Sequence, residues 1–196
     1  MYLREADVDF GSALPDYTGG VQNTFTVFKN FVINANIDYS HGGKFFSLSD
    51  FWGTQSGLMA KTATLNDKGN SVRDAVENGG GVHVFGVDAT GKPVDKYVDA
   101  FTYYHQFVNN QINEASIYDL TFVKLREVGI GYKIPVDKMG LGKYIKNATF
   151  SVVSNNTWLI YAKQKGFDPS EISGTFGENG QYPGTRSIGV NLRVGF

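Results

Sequence analysis

The chain has 196 residues, of which 14% are aromatic, 24 are glycine and only 19% are charged, a composition that favours turn-rich β structure over helical bundles or disorder. Its formal net charge of −1 provides no general attraction to nucleic acid, and a sequence without cysteine excludes disulfides, thiol catalysis and cysteine-ligated metals. Mean hydropathy is −0.23 and no run approaches the roughly 20 apolar residues of a transmembrane helix, although membrane-spanning strands need only about 9–11 residues of alternating polarity.

The first predicted elements are two strands, 21–28 and 31–40, joined by Lys29-Asn30 with the spacing of a tight hairpin. Successive side chains of a strand point to opposite faces, so the second strand has one apolar and one mainly polar face. These faces carry Phe31, Ile33, Ala35, Ile37 and Tyr39 on one side and Val32, Asn34, Asn36 and Asp38 on the other.

The segment 41–116 is predicted to be a long, elaborated loop with Gly-rich turns and short helical elements. Ser71 and Asp74 have the spacing of a capping box and predict a short helix that follows them. The turn residues 88–91 separate two short strand patterns and predict a small hairpin. Asp99 is a suitable N-cap for a helix with apolar residues at helical spacing.

Three further strands are predicted at 117–134, 147–161 and 185–196. In the first of them the apolar positions change parity, which predicts a β-bulge at 124–127 because one extra residue reverses the facing. The last strand is apolar at every second residue, and burying each such side chain is worth roughly 1.5–3 kcal/mol, so this face requires a covering layer. Its apolar residues are Ile188, Val190, Leu192, Val194 and Phe196.

The connections between these strands alternate in length. Two are short, 29–30 and 135–146, and two are long, 41–116 and 162–184. Short periplasmic turns and long external loops are typical of outer-membrane barrels, the smallest of which have about 8 strands. Five strands are too few for such a barrel, so we interpret the chain as a portion of one.

Four ordered motifs resemble a known family. The stretches YDLTFVKLREVGIGYKIP, NNTWLIYAKQKGFDPSE and the ending YPGTRSIGVNLRVGF resemble the C-terminal part of the SusC/RagA-type TonB-linked outer-membrane transporters. NTFTVFKNFVINANIDYSHGGKFFSL resembles a segment slightly upstream in the same family. The resemblance extends over about 16–196, and the order of the motifs is more specific than any single one. At Ser170 the chain departs from the acidic residue that follows the proline in the family.

The resemblance implies an all-β fold, about the last five strands of a 22-stranded antiparallel transmembrane β-barrel in the outer membrane of a Gram-negative cell. It also implies import of glycans or peptides, energised by the TonB complex, together with a SusD-like surface lipoprotein that closes over the barrel. Residues 1–196 would be a C-terminal portion, without the signal peptide and plug domain through which TonB acts. The terminal strand ending in Phe196 matches the signal that the barrel-assembly machinery recognises.

Three sets of candidate functional residues follow. The five apolar residues of the last strand would face lipid. The polar residues Asp38, Glu127, Asn191 and Arg193 would face the lumen. The aromatic residues Phe51, Trp52, Tyr103 and Tyr104 of the long loop would contact solute or the lid protein, or would fill the core of the loop itself. We expect no catalytic residue, no cofactor, no metal and no nucleic-acid partner; His41, His83 and His105 lack the spacing of metal ligands.

Two other readings of the sequence remain open at this stage. The aromatic content also suits a soluble β-sandwich that binds carbohydrate, in which a second sheet would cover the apolar face. Asp168 and Glu171 could act as the paired carboxylates of a glycan-hydrolysing enzyme, although an Asp-Pro pair more often shapes a turn.

Overall fold

The computed structural model describes residue 2 and residues 4–172 and 177–196. The chain divides into two compact units. The strand unit comprises Ser12–Lys44, Asp119–Ile172 and Tyr182–Phe196, and the helix unit comprises Met1–Gly11, Phe45–Tyr118 and Ser173–Gln181.

Strands outnumber helices throughout the described residues. The strands, in chain order, are β1 (Tyr17–Val27), β2 (Phe31–His41), β3 (Lys44–Phe46), β4 (Val82–Val87), β5 (Pro93–Val98), β6 (Ile117–Asp119), β7 (Phe122–Ile134), β8 (Asn147–Ala162) and β9 (Ser187–Gly195). The α-helices of the described residues are α1 (Leu48–Gln55) and α2 (Ala100–Asn109). Among the described residues, neither helix is both long enough and apolar enough to cross a bilayer.

The strand unit is built on one five-stranded sheet in the order β1-β2-β7-β8-β9, and every pairing is antiparallel. The five long strands expected from alternation are therefore confirmed, with shifted ends. β1 begins earlier than predicted, the predicted strand 117–134 is divided into β6 and β7, and β9 ends at Gly195, so that Phe196 follows the strand.

The turn between β1 and β2 differs from the prediction. Val27 pairs with Phe31, so the loop has three residues, Phe28, Lys29 and Asn30, rather than two. Phe28 and Lys29 both have left-handed backbone conformations, with φ of 50° and 66°. Hairpin loops with residues at positive φ normally select Gly or Asn, and the bulky Phe28 gives no such signal in the sequence.

The predicted bulge in β7 is confirmed. Glu127 pairs with Asn36 of β2, but the next pair in the ladder joins Leu125 to Ile37, so Arg126 has no partner in the register. The ladder between β7 and β8 shifts between Leu125 and Glu127 as well. The extra residue reverses the facing of the strand, which reconciles the two parities of its apolar positions.

In the helix unit, the sequence predicted the hairpin and one of the two helix starts. β4 pairs with β5 around a turn in which Asp88 Oδ1 accepts hydrogen bonds from the backbone N–H of Thr90 and Lys92, at 2.8 and 3.0 Å. Asp99 caps α2 by accepting from the Thr102 N–H at 2.9 Å.

The prediction of a helix after Ser71 is wrong. Ser71 Oγ accepts from the Arg73 N–H, and only a single 3-10 turn, Val76–Asn78, follows. The Arg73 guanidinium donates to the Thr62 and Gly57 carbonyl oxygens. These tertiary bonds fix the segment in an irregular conformation and override its weak local preference for a helix.

The interior of the helix unit is strongly polar. Asp50, which is 1% exposed, accepts from Lys61 Nζ at 2.7 Å and from Ser116 Oγ at 2.9 Å. Glu178 accepts from Ser47 Oγ and from the Ser49 N–H at the start of α1, at 2.6 and 2.9 Å. Burial raises the pKa of Glu178, but these bonds outweigh burial and hold it below its ordinary value.

Candidate functional site: the two faces of the five-stranded sheet

Residues paired across an antiparallel sheet point to the same face, so the register defines both faces of the strand unit. One row crosses all five strands and is entirely polar. It consists of Gln22, Asn36, Glu127, Asn155 and Ser187. We call the side of the sheet that carries this row the polar face.

The opposite side, the apolar face, has rows that are hydrophobic on every strand. One of these rows is Phe25, Ile33, Ile130, Val152 and Val190. Asn23 and Ser154 are the two polar side chains in the middle of this face. Its residues are open to the surroundings: Ile188 and Val190 are each 73% exposed and Leu192 is 62% exposed.

Aromatic side chains form a band near each end of the apolar face. Phe31 and Tyr39 mark the two bands on β2; the eight residue steps between them span roughly 26 Å at about 3.3 Å per residue. Rings touch within both bands, with centroids 6.3 Å apart for Tyr17 and Tyr39 and 4.9 Å apart for Phe31 and Tyr132. The first band contains Tyr17, Tyr39, Trp158 and Tyr161, and the second contains Phe25, Phe31, Tyr132 and Phe150.

A cluster of charges lies on the polar face beside the bulge. Lys124 Nζ donates to Asp168 Oδ2 at 2.6 Å, to Glu171 Oε1 at 2.8 Å and to Ser170 Oγ at 3.0 Å. Arg126 adds a second cation, with Nη1 3.0 Å from the same Glu171 oxygen. The two carboxylates thus anchor the segment after β8 to β7.

Asp38 completes the cluster. Arg126 Nε donates to Asp38 Oδ2 at 2.8 Å, which links β2 to the bulge of β7. The side chain of Lys124 is only 2% exposed, whereas those of Arg126 and Asp38 are about one-third exposed. A buried ammonium group requires hydrogen-bonding partners of opposite charge, and the segment after β8 provides them.

The same contacts shift the pKa values of the carboxylates. For Asp168, burial raises the pKa, but the bonds from Lys124 and Ser170 outweigh it and the net shift is downward. For Glu171, the hydrogen bond from Lys124 is the main cause of a lowered pKa. A glycosidase needs one carboxyl group with a raised pKa as its general acid, and neither of these has one.

The four polar candidates from the sequence all lie on the polar face. Asp38 belongs to the charge cluster and Glu127 to the five-residue polar row. Asn191 pairs with Ser151 and Arg193 pairs with Thr149, both on β8. The apolar candidates of β9 lie on the apolar face, where Val194 is half-buried; Phe196, beyond the strand, is 80% exposed.

The aromatic candidates of the long loop all lie in the helix unit. The Tyr103 hydroxyl is 3.0 Å from that of Tyr2, and the Tyr104 hydroxyl donates to the Lys61 carbonyl oxygen at 2.6 Å. Phe51 contacts Phe46, with ring centroids 5.3 Å apart. The indole of Trp52 is 52% exposed. Trp52 contacts the ring of Phe51, with centroids 5.6 Å apart, so all four pack within the unit and Trp52 is the most exposed.

Two features escaped the sequence reasoning. Lys124 and Arg126 were not singled out, because the alternation of Val123, Lys124 and Leu125 places the lysine on the polar face without indicating that it is buried. The aromatic bands become visible only when the register aligns the strands, because no strand contributes more than two rings to either band and β9 contributes none. In the part of the chain that the structure describes, no group of three or more His, Asp or Glu side chains is placed to hold a metal ion.

Comparison with known proteins gives a receptor and an importer among the relatives of the chain. No family model matches the chain. TonB-dependent receptor P26 of Formosa agariphila (strain DSM 15362 / KCTC 12365 / LMG 23005 / KMM 3901 / M-2Alg 35-1) is 27% identical over 206 residues, which cover 96% of this chain and 18% of the receptor. The resemblance to the SusC/RagA-type TonB-linked transporters is confirmed.

Solved structures of this kind have the same fold as the chain. The RagAB peptide importer in its closed-closed state matches with a TM-score of 0.62 at 18% identity, over 98% of this chain and 19% of that one. Its open-open state matches with a TM-score of 0.61 at 18% identity, over 99% and 19%. The chain therefore spans about a fifth of the length of the receptor and of the importer chains that it matches. Its relatives are a receptor and an importer, not enzymes.

Proposed function

We propose that this chain forms part of the wall of a transmembrane β-barrel in the outer membrane of a Gram-negative cell, within a TonB-dependent transporter that imports glycans or peptides. In this proposal the strands are about the last five of a 22-stranded barrel, with the apolar face against lipid and the polar face towards the lumen. A SusD-like surface lipoprotein closes the barrel, the barrel-assembly machinery recognises the strand ending in Phe196, and TonB acts through N-terminal parts that family members carry.

The observation that carries the proposal is the pair of aromatic bands on the apolar face. Transmembrane barrels present an apolar band about 25 Å tall between two girdles of aromatic residues at the membrane interfaces. The strand between Phe31 and Tyr39 is roughly 26 Å long, which matches that height. Tilting the strand relative to the barrel axis shortens its projected height, which remains of the same order. Aromatic rings favour the interface because one edge is apolar and the polar tip of Tyr or Trp reaches water.

The polar face supports the second half of the proposal. Its central row of Gln22, Asn36, Glu127, Asn155 and Ser187 would be expensive in hydrocarbon and suits a water-filled lumen. Asp38, Asn191 and Arg193 extend this hydrophilic wall. The segment 41–116 and the aromatic residues Phe51, Trp52, Tyr103 and Tyr104 would then lie outside the cell, where Trp52 is best placed to contact solute or the lid protein.

The soluble sandwich is less compatible with the same observations. A sandwich packs its apolar face on a second sheet about 10 Å away. Ile188 and Val190, on β9, are instead each 73% exposed. An apolar face of five strands left open to water would be an aggregation hazard, whereas lipid covers it without any further protein layer.

The two tryptophans of the chain provide a direct test, because Trp158 lies on the apolar face and Trp52 lies in the helix unit. We would reconstitute the full chain into phosphatidylcholine vesicles that carry bromine on the acyl chains, which quenches nearby indole fluorescence. The Trp52→Phe variant, which retains Trp158, should be strongly quenched. The Trp158→Phe variant, which retains Trp52, should be quenched little.

Unbrominated vesicles of the same composition give the reference intensity for each variant. Equal quenching of the two indoles, or quenching of Trp52 alone, would contradict the orientation. Full fluorescence from Trp158 in brominated vesicles would contradict membrane insertion altogether.

A further inference from the structure

We propose that an open cavity in the helix unit binds a neutral, hydroxyl-rich ring, such as one sugar residue of an oligosaccharide. The cavity has a volume of about 540 Å³, within the roughly 300–1,000 Å³ that is usual for small-molecule sites. Its wall includes Gln55 at the end of α1 and the first turns of α2 from Asp99 to His105. This binding site is independent of the proposed membrane orientation.

An open aromatic surface forms one side of the cavity. Phe101 is 69% exposed although it lies near the start of α2, and its ring centroid is 3.7 Å from that of His105, one helical turn later. The face of an aromatic ring is electron-rich and attracts the weakly positive C–H groups that line one side of a sugar ring. Phe101 therefore offers an exposed ring face that water hydrates poorly and on which a sugar ring can stack.

Arg73, which also lines the cavity, supplies hydrogen-bond donors on a fixed side chain. Its Nε donates to the Thr62 carbonyl oxygen at 2.8 Å, and Nη2 donates to Thr62 Oγ1 at 2.9 Å and to the Gly57 carbonyl oxygen. These bonds do not involve the two N–H groups of Nη1. Because the guanidinium is already held in place, a ligand would lose little side-chain entropy by binding to it.

Acceptors are close by in the sequence and line the same cavity. Asp74 follows Arg73, and Asp99 uses Oδ1 to cap α2, so its second oxygen has lone pairs for a ligand. Gln55 contributes an amide with both a donor and an acceptor. A sugar hydroxyl donates and accepts at once, so mixed groups of this kind suit it better than they suit a purely anionic ligand.

The cavity wall carries charges of both signs. Arg73 offsets one of the two carboxylates, Asp74 and Asp99, so the wall lacks the strong attraction for an ion that a wall of one sign provides. Extended peptides are commonly recognised by main-chain pairing to a strand edge. The described wall of this cavity consists of helix ends and turns, which do not offer such an edge. An aromatic face beside mixed hydrogen-bonding groups therefore points to a saccharide.

Calorimetric titration of the purified full chain tests the site. The probes are three neutral oligosaccharides, maltohexaose, laminarihexaose and xylohexaose, with tetra-alanine as the peptide probe. We expect at least one oligosaccharide to bind, and Phe101→Ala to weaken that binding about tenfold, since a lost ring contact is worth on the order of 1 kcal/mol. Asp74→Asn, which keeps the shape of the side chain, should also weaken it.

Phe85→Ala is the matched control, because Phe85 is a similarly open phenylalanine of the helix unit, 77% exposed, on β4 and outside the cavity wall. It should leave the affinity unchanged. Equal loss in the two phenylalanine variants, binding of tetra-alanine alone, or no binding by any oligosaccharide would overturn the proposal. A negative bromine quenching experiment would overturn the membrane orientation but would not affect saccharide binding by the cavity. The two proposals can therefore be refuted independently.

Discussion

At the scale of single residues, Lys124 is a buried charged side chain that depends on its hydrogen-bonding partners. Its side chain is 2% exposed, and its ammonium group donates hydrogen bonds to Asp168, Glu171 and Ser170. A buried ion pair contributes little net stability compared with apolar residues of the same volume, because desolvation offsets the attraction. Removing one partner of the pair is strongly destabilising, since the remaining charges stay partly buried without an opposite charge.

Lys124→Met should therefore lower the free energy of unfolding by about 3–5 kcal/mol, the range for a broken buried ion pair. The methionine fills the volume of the lysine stem, so the loss reports mainly on the uncompensated carboxylates. Urea unfolding of the full chain in detergent micelles, followed by circular dichroism, measures the change.

Lys133→Met is a suitable control, because Lys133 lies on the same strand and the same polar face but is exposed. Its substitution should change the unfolding free energy by less than about 1 kcal/mol. If both variants lose the same stability, the charge cluster does not have the role assigned to it.

At the scale of elements, hydrophobic alternation was sufficient to predict the strands and even the bulge of β7. Val123 and Leu125 have one parity and Val128 and Ile130 the other, and only an inserted residue allows all four to share a face. The turn at Phe28 was not predictable, because a large residue at positive φ follows from the register of the whole hairpin and not from local preference.

The charge cluster could not be predicted from the sequence for another reason. Lys124 and its partners are separated by 44 to 47 residues, so the contact depends on how the segment after β8 folds back. The sequence reasoning assigned Asp168 and Glu171 to a shaped loop and left their partners open. Alternation reports which face a residue occupies, whereas it contains no information about what a loop places above that face.

This arrangement makes the segment 163–172 sensitive to acid. Asp168 and Glu171 have lowered pKa values in the folded chain, so their contribution is complete above their ordinary values near 4. It is lost as the pH falls through the lowered values. We expect the segment to remain ordered at pH 5 and above and to detach progressively below about pH 4.

A spin label can follow this change selectively, because the chain has no native cysteine. Lys165→Cys, at an exposed position of the segment, provides the attachment site. The mobility of the label should increase as the pH is lowered below about 4. Asp119→Asn must be added together with Asp168→Asn and Glu171→Gln, because Asp119 Oδ2 accepts from Lys163 Nζ of the same segment at 2.7 Å. The three substitutions should abolish the pH dependence, since amides do not titrate; a transition that persists in this variant would contradict the assignment.

At the scale of the whole molecule, the sheet has two edges. In the described structure β1 pairs only with β2 and β9 only with β8. Free backbone groups at an edge are satisfied by water or by another strand, but not by hydrocarbon. In the proposed barrel, further strands of the transporter would pair with both.

Hydrogen exchange of the chain alone in detergent should reveal these edges. Amides of β1 and β9 that point away from the sheet should exchange faster than those of β7, which is paired on both sides. Mass spectrometry of peptides from each strand measures the rates. Exchange of β7 as fast as that of β1 and β9 would show that the five-stranded sheet does not form in the isolated chain.

The bulge at Arg126 has a consequence for how the gene can change. Every residue of β7 before it owes its orientation to that one additional position. Its deletion would turn the ammonium group of Lys124 towards the apolar side and bring Val123 and Leu125 to the polar side. A codon lost here would thus be more damaging than most substitutions in the strand, since it would invert four side chains at once.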